Sequence, residues 1–119
     1  MSTILIIDDE PILLNNLKMM LEFEDFEVIL STDGAEALAM LQERPVDLIL
    51  CDMLMNPMNG FEILYAIQQN PQSAQTPFIF VTGVQWNPAE AEVLGVAGYL
   101  IKPFTRVALL DIIHQHIAR

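Results

Sequence analysis

The chain has 119 residues, a net charge of −11 and a single cysteine, Cys51. That length can bury one self-sufficient core, one cysteine excludes an internal disulfide or a zinc cluster built from thiolates, and the acid excess disfavours non-specific binding to nucleic acid or anionic membranes. No apolar stretch approaches the roughly 18 residues of a membrane span, and MSTILIIDDE lacks a basic region and meets acid at Asp8, so it does not read as a signal peptide and a cytoplasmic protein is expected.

TILIID (3–8) reads as a buried strand. Pro11 can open a helix whose apolar face is Leu13, Leu17, Met20 and Leu21. FEVILS (26–31) is a second strand. Asp33 and Glu36 are spaced as a capping box for a helix through Ala37, Leu38 and Leu41, ended by Pro45. VDLILC (46–51) is a third strand, and residues 60–69 form a helix with Phe61, Leu64 and Ile67 along one side. PFIFVT (77–82) is a fourth strand, 88–94 a short helix and GYLI (98–101) a fifth strand. Thr105 caps a last helix bearing Leu109, Ile112, Ile113 and Ile117.

Five strands alternating with five helices predict one α/β domain over residues 1–119, a doubly wound parallel sheet covered on both faces. An apolar content of 53% agrees, because central parallel strands are buried twice over. In such folds the site lies beyond the carboxyl ends of the strands. Those ends carry Asp8 and Asp9, Asp52, Thr82 and Lys102, the last being one of only two lysines in the chain. Clustered carboxylates repel one another unless a cation joins them. Oxygen ligands with no histidine nearby favour a hard ion, and Mg2+ fits because it takes one or two carboxylates together with phosphate oxygens. A carboxylate beside magnesium can attack phosphorus to give an acyl phosphate. Lys102 offers a positive charge to one phosphoryl oxygen and Thr82 a hydroxyl to another.

Taken together, Asp8-Asp9 in LIIDDEP, Asp52 in DLILCDMLM, Gly60 in MNGFEIL, Thr82 in FIFVTG and Lys102-Pro103 in GYLIKPF resemble a response-regulator receiver domain of two-component signalling, similar to a single-domain chemotaxis regulator. The resemblance covers essentially the whole chain. It implies a flavodoxin-like receiver fold with strand order 2-1-3-4-5. It implies Asp52 as phosphoacceptor, and Asp9, Asp52 and the Leu54 backbone carbonyl as direct magnesium ligands, with Asp8 acting through metal-bound water. Lys102 would pair with the phosphoryl group, and the Lys102–Pro103 peptide would be cis. Thr82 and Tyr99 would form the switch pair, altering the face around the fourth helix, fifth strand and fifth helix. The implied donor is a sensor histidine kinase or histidine phosphotransfer protein. The output would be contact with a downstream protein target, without direct nucleic-acid or membrane binding. The only implied catalysis is the chain's own phosphoryl acceptance and hydrolysis, so it is not expected to be an enzyme in any other sense.

The sequence departs from the family pattern in places. After Asp52, Asn56 stands where proline is usual and proline falls at Pro57, which bears on the path of the Leu54 carbonyl. The stretch from Thr82 to Lys102 is short, which points to an abbreviated VQWNP loop and fourth helix. Gly83 is small enough to leave the phosphoryl group room. Leu54 and Val84 are apolar where side chains often tune hydrolysis, so a long-lived phosphorylated state is expected. Met53, Met55 and Met58 offer an adaptable contact surface, and Trp86 packs the short loop or meets a partner.

Plainer readings stand beside these. Asp9 alone could be a helix cap, Lys102 a surface lysine and Tyr99 ordinary core, while Cys51 reads as a small buried hydrophobe. His114 and His116 are two apart on a helix and face different ways. A metal-dependent phosphatase would place its acids as D-x-D on one strand end. A flavin binder would need a Ser/Thr/Gly loop where Asp8-Asp9-Glu10 stands. A receiver reduced to a docking module would lack reactive positions that are all filled here. No output module is expected from the residues after the last helix, and the chain would be stand-alone or the first domain of a longer protein cut at Arg119.

Overall fold

The computed structural model describes residues 1–83 and 88–117, with backbone only for Pro88 and Ala91. Val84, Trp86 and Arg119, singled out above, lie outside the described residues. Strands β1 (Thr3–Ile7), β2 (Glu27–Ser31), β3 (Leu48–Asp52), β4 (Phe78–Thr82) and β5 (Gly98–Ile101) alternate with α1 (Pro11–Phe23), α2 (Gly34–Glu43), α3 (Gly60–Gln69), α4 (Pro88–Leu94) and α5 (Arg106–His116). The strands form one parallel sheet in the expected order β2-β1-β3-β4-β5.

Successive strand residues point to opposite faces, and both sets are apolar. Ile4, Ile6, Leu48, Leu50, Ile79 and Val81 bury against α1 and α5. Leu5, Ile7, Ile49, Cys51, Phe78 and Phe80 bury against α2 and α3. Each fully buried leucine or isoleucine is worth about 1.5–3 kcal/mol of transfer free energy, so the two apolar layers dominate folding.

Local details differ from expectation for physical reasons. On α1 the fully buried residues are Leu14, Leu17 and Leu21, whereas Leu13 and Met20 pack only partly. On α3, Ile63, Leu64 and Ile67 form the seam and Phe61 sits at its outer edge. Strand β3 starts later than expected, because Asp47 is used to close the sheet's start: its backbone N–H donates to the Thr3 carbonyl at 2.8 Å, and its carboxylate accepts from the Thr3 N–H at 2.7 Å. At its other end Asp52 is the last residue of the strand rather than the first beyond it.

The expected capping box at Asp33 does not form. Asp33 does cap α2, accepting from the Ala35 N–H, but Glu36 accepts the Ser31 hydroxyl at 2.8 Å and not the Asp33 N–H. The reciprocal box closes instead at α3, between Asn59 and Glu62, each bond 3.0 Å. Thr105 caps α5 as expected, through the Ala108 N–H.

Candidate functional site

Parallel register brings the site together. Ile7 pairs with Cys51, so Asp8 and Asp52, the next residues, lie side by side at the ends of β1 and β3. On the other side Thr82 pairs with Ile101, and the Lys102 N–H donates to the Thr82 carbonyl at 2.7 Å. Gly60 seats α3 against this end. Its N–H donates to the Met53 carbonyl at 2.9 Å, and a Cβ there would lie 2.6 Å from the Asp52 carbonyl oxygen and 2.7 Å from the Phe80 ring. Only glycine permits that approach.

Asp8 and Asp52 are buried, Asp9 is exposed, and all three belong with Glu10 to one group whose oxygens lie within 4.8 Å of one another. The Lys102 ammonium sits 3.2 Å from Asp8 Oδ2, 3.4 Å from Glu10 Oε1 and 3.8 Å from Asp52 Oδ2. Burial pushes the Asp8 carboxyl above its ordinary value, with the Glu10 N–H and Lys102 opposing. Burial also raises Asp52, the Asp8 charge adds to it, and Lys102 and the Leu54 N–H oppose. Burial by itself would lower Lys102, but Asp8, Asp52 and Glu10 outweigh it and hold the ammonium above its ordinary value. Cys51 is raised by burial and then by its acidic neighbours, so its thiol stays protonated and unreactive. Acids this crowded, offering only hard oxygen donors, fit a magnesium ion.

The family model of the response regulator receiver domain matches residues 4–114. The chain belongs to that family. The chemotaxis protein CheY4 of Vibrio cholerae superposes with a TM-score of 0.90 at 30% identity, covering 98% of this chain and 99% of that one. The receiver domain of the sensor histidine kinase PA1611 from Pseudomonas aeruginosa PAO1, with magnesium coordinated in its active site cleft, superposes with a TM-score of 0.89 at 25% identity, covering 99% and 98%. The transcriptional regulatory protein CpxR of Escherichia coli K12 is 40% identical over 106 residues, which is 87% of this chain and 44% of CpxR. Two further curated relatives are covered over only 26% and 53% of their length. Receiver domains bind magnesium at an acidic pocket and work with histidine kinases and downstream targets. No helix among the described residues is long and apolar enough to cross a membrane.

Each strand-end residue expected from the sequence lies on this rim. Thr82 is fully buried at the tip of β4. Tyr99 is half-buried on β5, in register with Phe80 and packed against the core beneath α2 and α3. Leu54 is exposed, and its N–H donates to Asp52 Oδ1 at 3.3 Å. Lys102–Pro103 is cis, as the resemblance implied, and Asn56–Pro57 in the unusual loop is cis as well. A Cβ at Gly83 would meet nothing within 4 Å among the described residues. Glu10 was missed. Its signal was present in the run Asp8-Asp9-Glu10, used above only to set aside a flavin-binding loop.

Proposed function

We propose that the chain is a phosphorylation-activated switch in a two-component phosphorelay, with Asp52 as the phosphoacceptor. The observation that carries this is a buried carboxylate at a strand tip, flanked by Asp8 and 3.8 Å from Lys102. An Asp52 carboxylate oxygen forms the new O–P bond as the bond from phosphorus to the donor breaks. The donor is a phosphohistidine of a sensor histidine kinase or phosphotransfer protein, whose imidazole nitrogen leaves with the electron pair. Asp8, Asp9, Asp52 and the Leu54 carbonyl would hold magnesium, which when bound supplies positive charge to the carboxylates and to the phosphoryl oxygens. Lys102 draws in a phosphoryl oxygen, and its three nearby acids keep it charged for that task. The Thr82 hydroxyl would take a second oxygen, and Tyr99 would move into the space Thr82 leaves. That rearrangement is the signal presented to a downstream protein, without direct contact to nucleic acid or membrane. Beyond its own phosphoryl acceptance and hydrolysis the domain performs no catalysis, and it works in the cytoplasm.

The test is intact mass after incubation with magnesium and a small acyl-phosphate donor. One phosphoryl adduct, absent from Asp52→Asn and blocked by a chelator, is the expected result. A folded protein that acquires no adduct would remove the reading.

A further inference from the structure

The α3–α4 face carries an open apolar groove that the chemistry above does not use. Among the described residues Phe61, Ala89, Glu90, Val93 and Leu94 line it, and its volume is about 440 Å³. Val93 is 86% exposed and Phe61 39% exposed, and Tyr65, one turn beyond Phe61 on α3, is exposed too. Scattered exposed apolar residues are ordinary, but here apolar side chains from two helices converge on one groove.

The charge around the groove states what could fill it. Between Arg44 and Lys102 the sequence contains no lysine, arginine or histidine. Glu62 on α3 and Glu90 and Glu92 on α4 are exposed. A second copy of the chain would set these same acids against one another, and an anionic lipid surface would be repelled. We propose that this groove docks an amphipathic helix of a partner protein, with apolar anchors on one face and Lys or Arg beside them. The anchors would fill the space between Phe61 and Val93, and the basic residues would meet Glu62, Glu90 and Glu92.

The groove is also joined to the rim. The Phe61 ring packs on Phe80 with centroids 5.2 Å apart, and Phe80 lies two residues before Thr82 on β4. An occupant on Phe61 is therefore separated by one ring contact from the strand that ends in Thr82. Docking stands on the groove alone. Only its coupling to phosphorylation rests on the function proposed above, and by linkage such coupling runs both ways.

The probe is a fluorescent peptide of about sixteen residues, long enough to form a helix. It carries Leu and Phe on one face and Lys elsewhere, and it is titrated by anisotropy in roughly 0.15 M salt to screen long-range attraction. Val93→Glu discriminates, because it removes an exposed apolar contact while adding negative charge. Groove docking predicts about tenfold weaker binding to Val93→Glu, no loss for Ile12→Glu on α1, and little binding of a scrambled peptide of equal charge. Equal or tighter binding by Val93→Glu would mean attachment by charge alone and would overturn the proposal. So would a dimer of the unmodified chain that Val93→Glu dissociates, because the occupant would then be a second copy. If docking holds but phosphorylation leaves affinity unchanged, the groove stands and its coupling falls.

Discussion

The carboxyl rim of the sheet has two halves that are built from different materials. Over β1 and β3 it is ionic: Asp8 and Asp52 are buried, Asp9 and Glu10 stand at the mouth, and the Lys102 ammonium reaches in from beyond β5. Over β4 and β5 it is neutral: Thr82 is buried, Tyr99 half-buried and Gly83 open. Groups in the ionic half can hold charge and react. Groups in the neutral half carry no charge and, on the function proposed above, would answer a new one by a hydrogen bond from Thr82 and by moving. A receiver needs both, and the pairing of β3 with β4 sets them side by side, with Asp52 opposite Val81, the neighbour of Thr82.

Substitutions should separate the halves. The largest effect belongs to Asp52→Asn, which is expected to abolish the phosphoryl adduct, while Tyr99→Phe leaves adduct formation from a small donor unchanged. Equal loss in both, read by intact mass, would dissolve the distinction. Next, Lys102→Ala should slow acceptance roughly a hundredfold, the usual cost of removing one charged stabiliser of transferring oxygens. Thr82→Ala should slow it only about fivefold, the equivalent of one net hydrogen bond of about 1 kcal/mol. Initial rates of adduct formation check both.

Hydrolysis sharpens the comparison further. Leu54 is exposed beside Asp52 and offers no polar group to orient water. Leu54→Asn is expected to shorten the phosphorylated lifetime about fivefold, again one hydrogen bond in magnitude. A lifetime unchanged by the substitution would remove Leu54 from the account.

The smallest effect is on stability. Asp8 and Asp52 are raised on folding, so the native chain holds their protons more tightly than the unfolded chain does. Their ionisation therefore opposes folding at neutral pH, and that penalty lifts as pH falls through their raised values. Lys102 has the opposite sense: its stabilising contribution is present below its ordinary value of 10.5 and is lost as pH rises through its higher folded value. Metal-free Asp52→Asn should be more stable than the unmodified chain near pH 7, by about 1 kcal/mol. Denaturant titrations with chelator present check the sign, and magnesium should stabilise the unmodified chain more than the variant.

Much of the rim was legible in the sequence because a parallel sheet puts every strand's carboxyl end on one side. Once the strands were found, Asp8, Asp52, Thr82 and Lys102 had to share one rim. What stayed hidden was decided by side-chain direction. Asp33 and Asn59 both precede a glutamate at capping-box spacing, yet only Asn59 closes a box, because Ser31 captures Glu36. Glu10 adjoins the acid pair, but nothing in the spacing says that its carboxylate turns toward Lys102. Phe61 fits the apolar period of α3, yet it falls at the helix's outer edge and lines a groove that exists only once α4 is in place.

The most direct test of the central claim locates the phosphoryl group. The protein would be phosphorylated with magnesium and an acyl-phosphate donor, the acyl phosphate reduced with borohydride, and the peptides sequenced by mass spectrometry. The account predicts conversion of residue 52 alone to the corresponding alcohol. Conversion at Asp8, Asp9 or Glu10, with Asp52 intact, would contradict it.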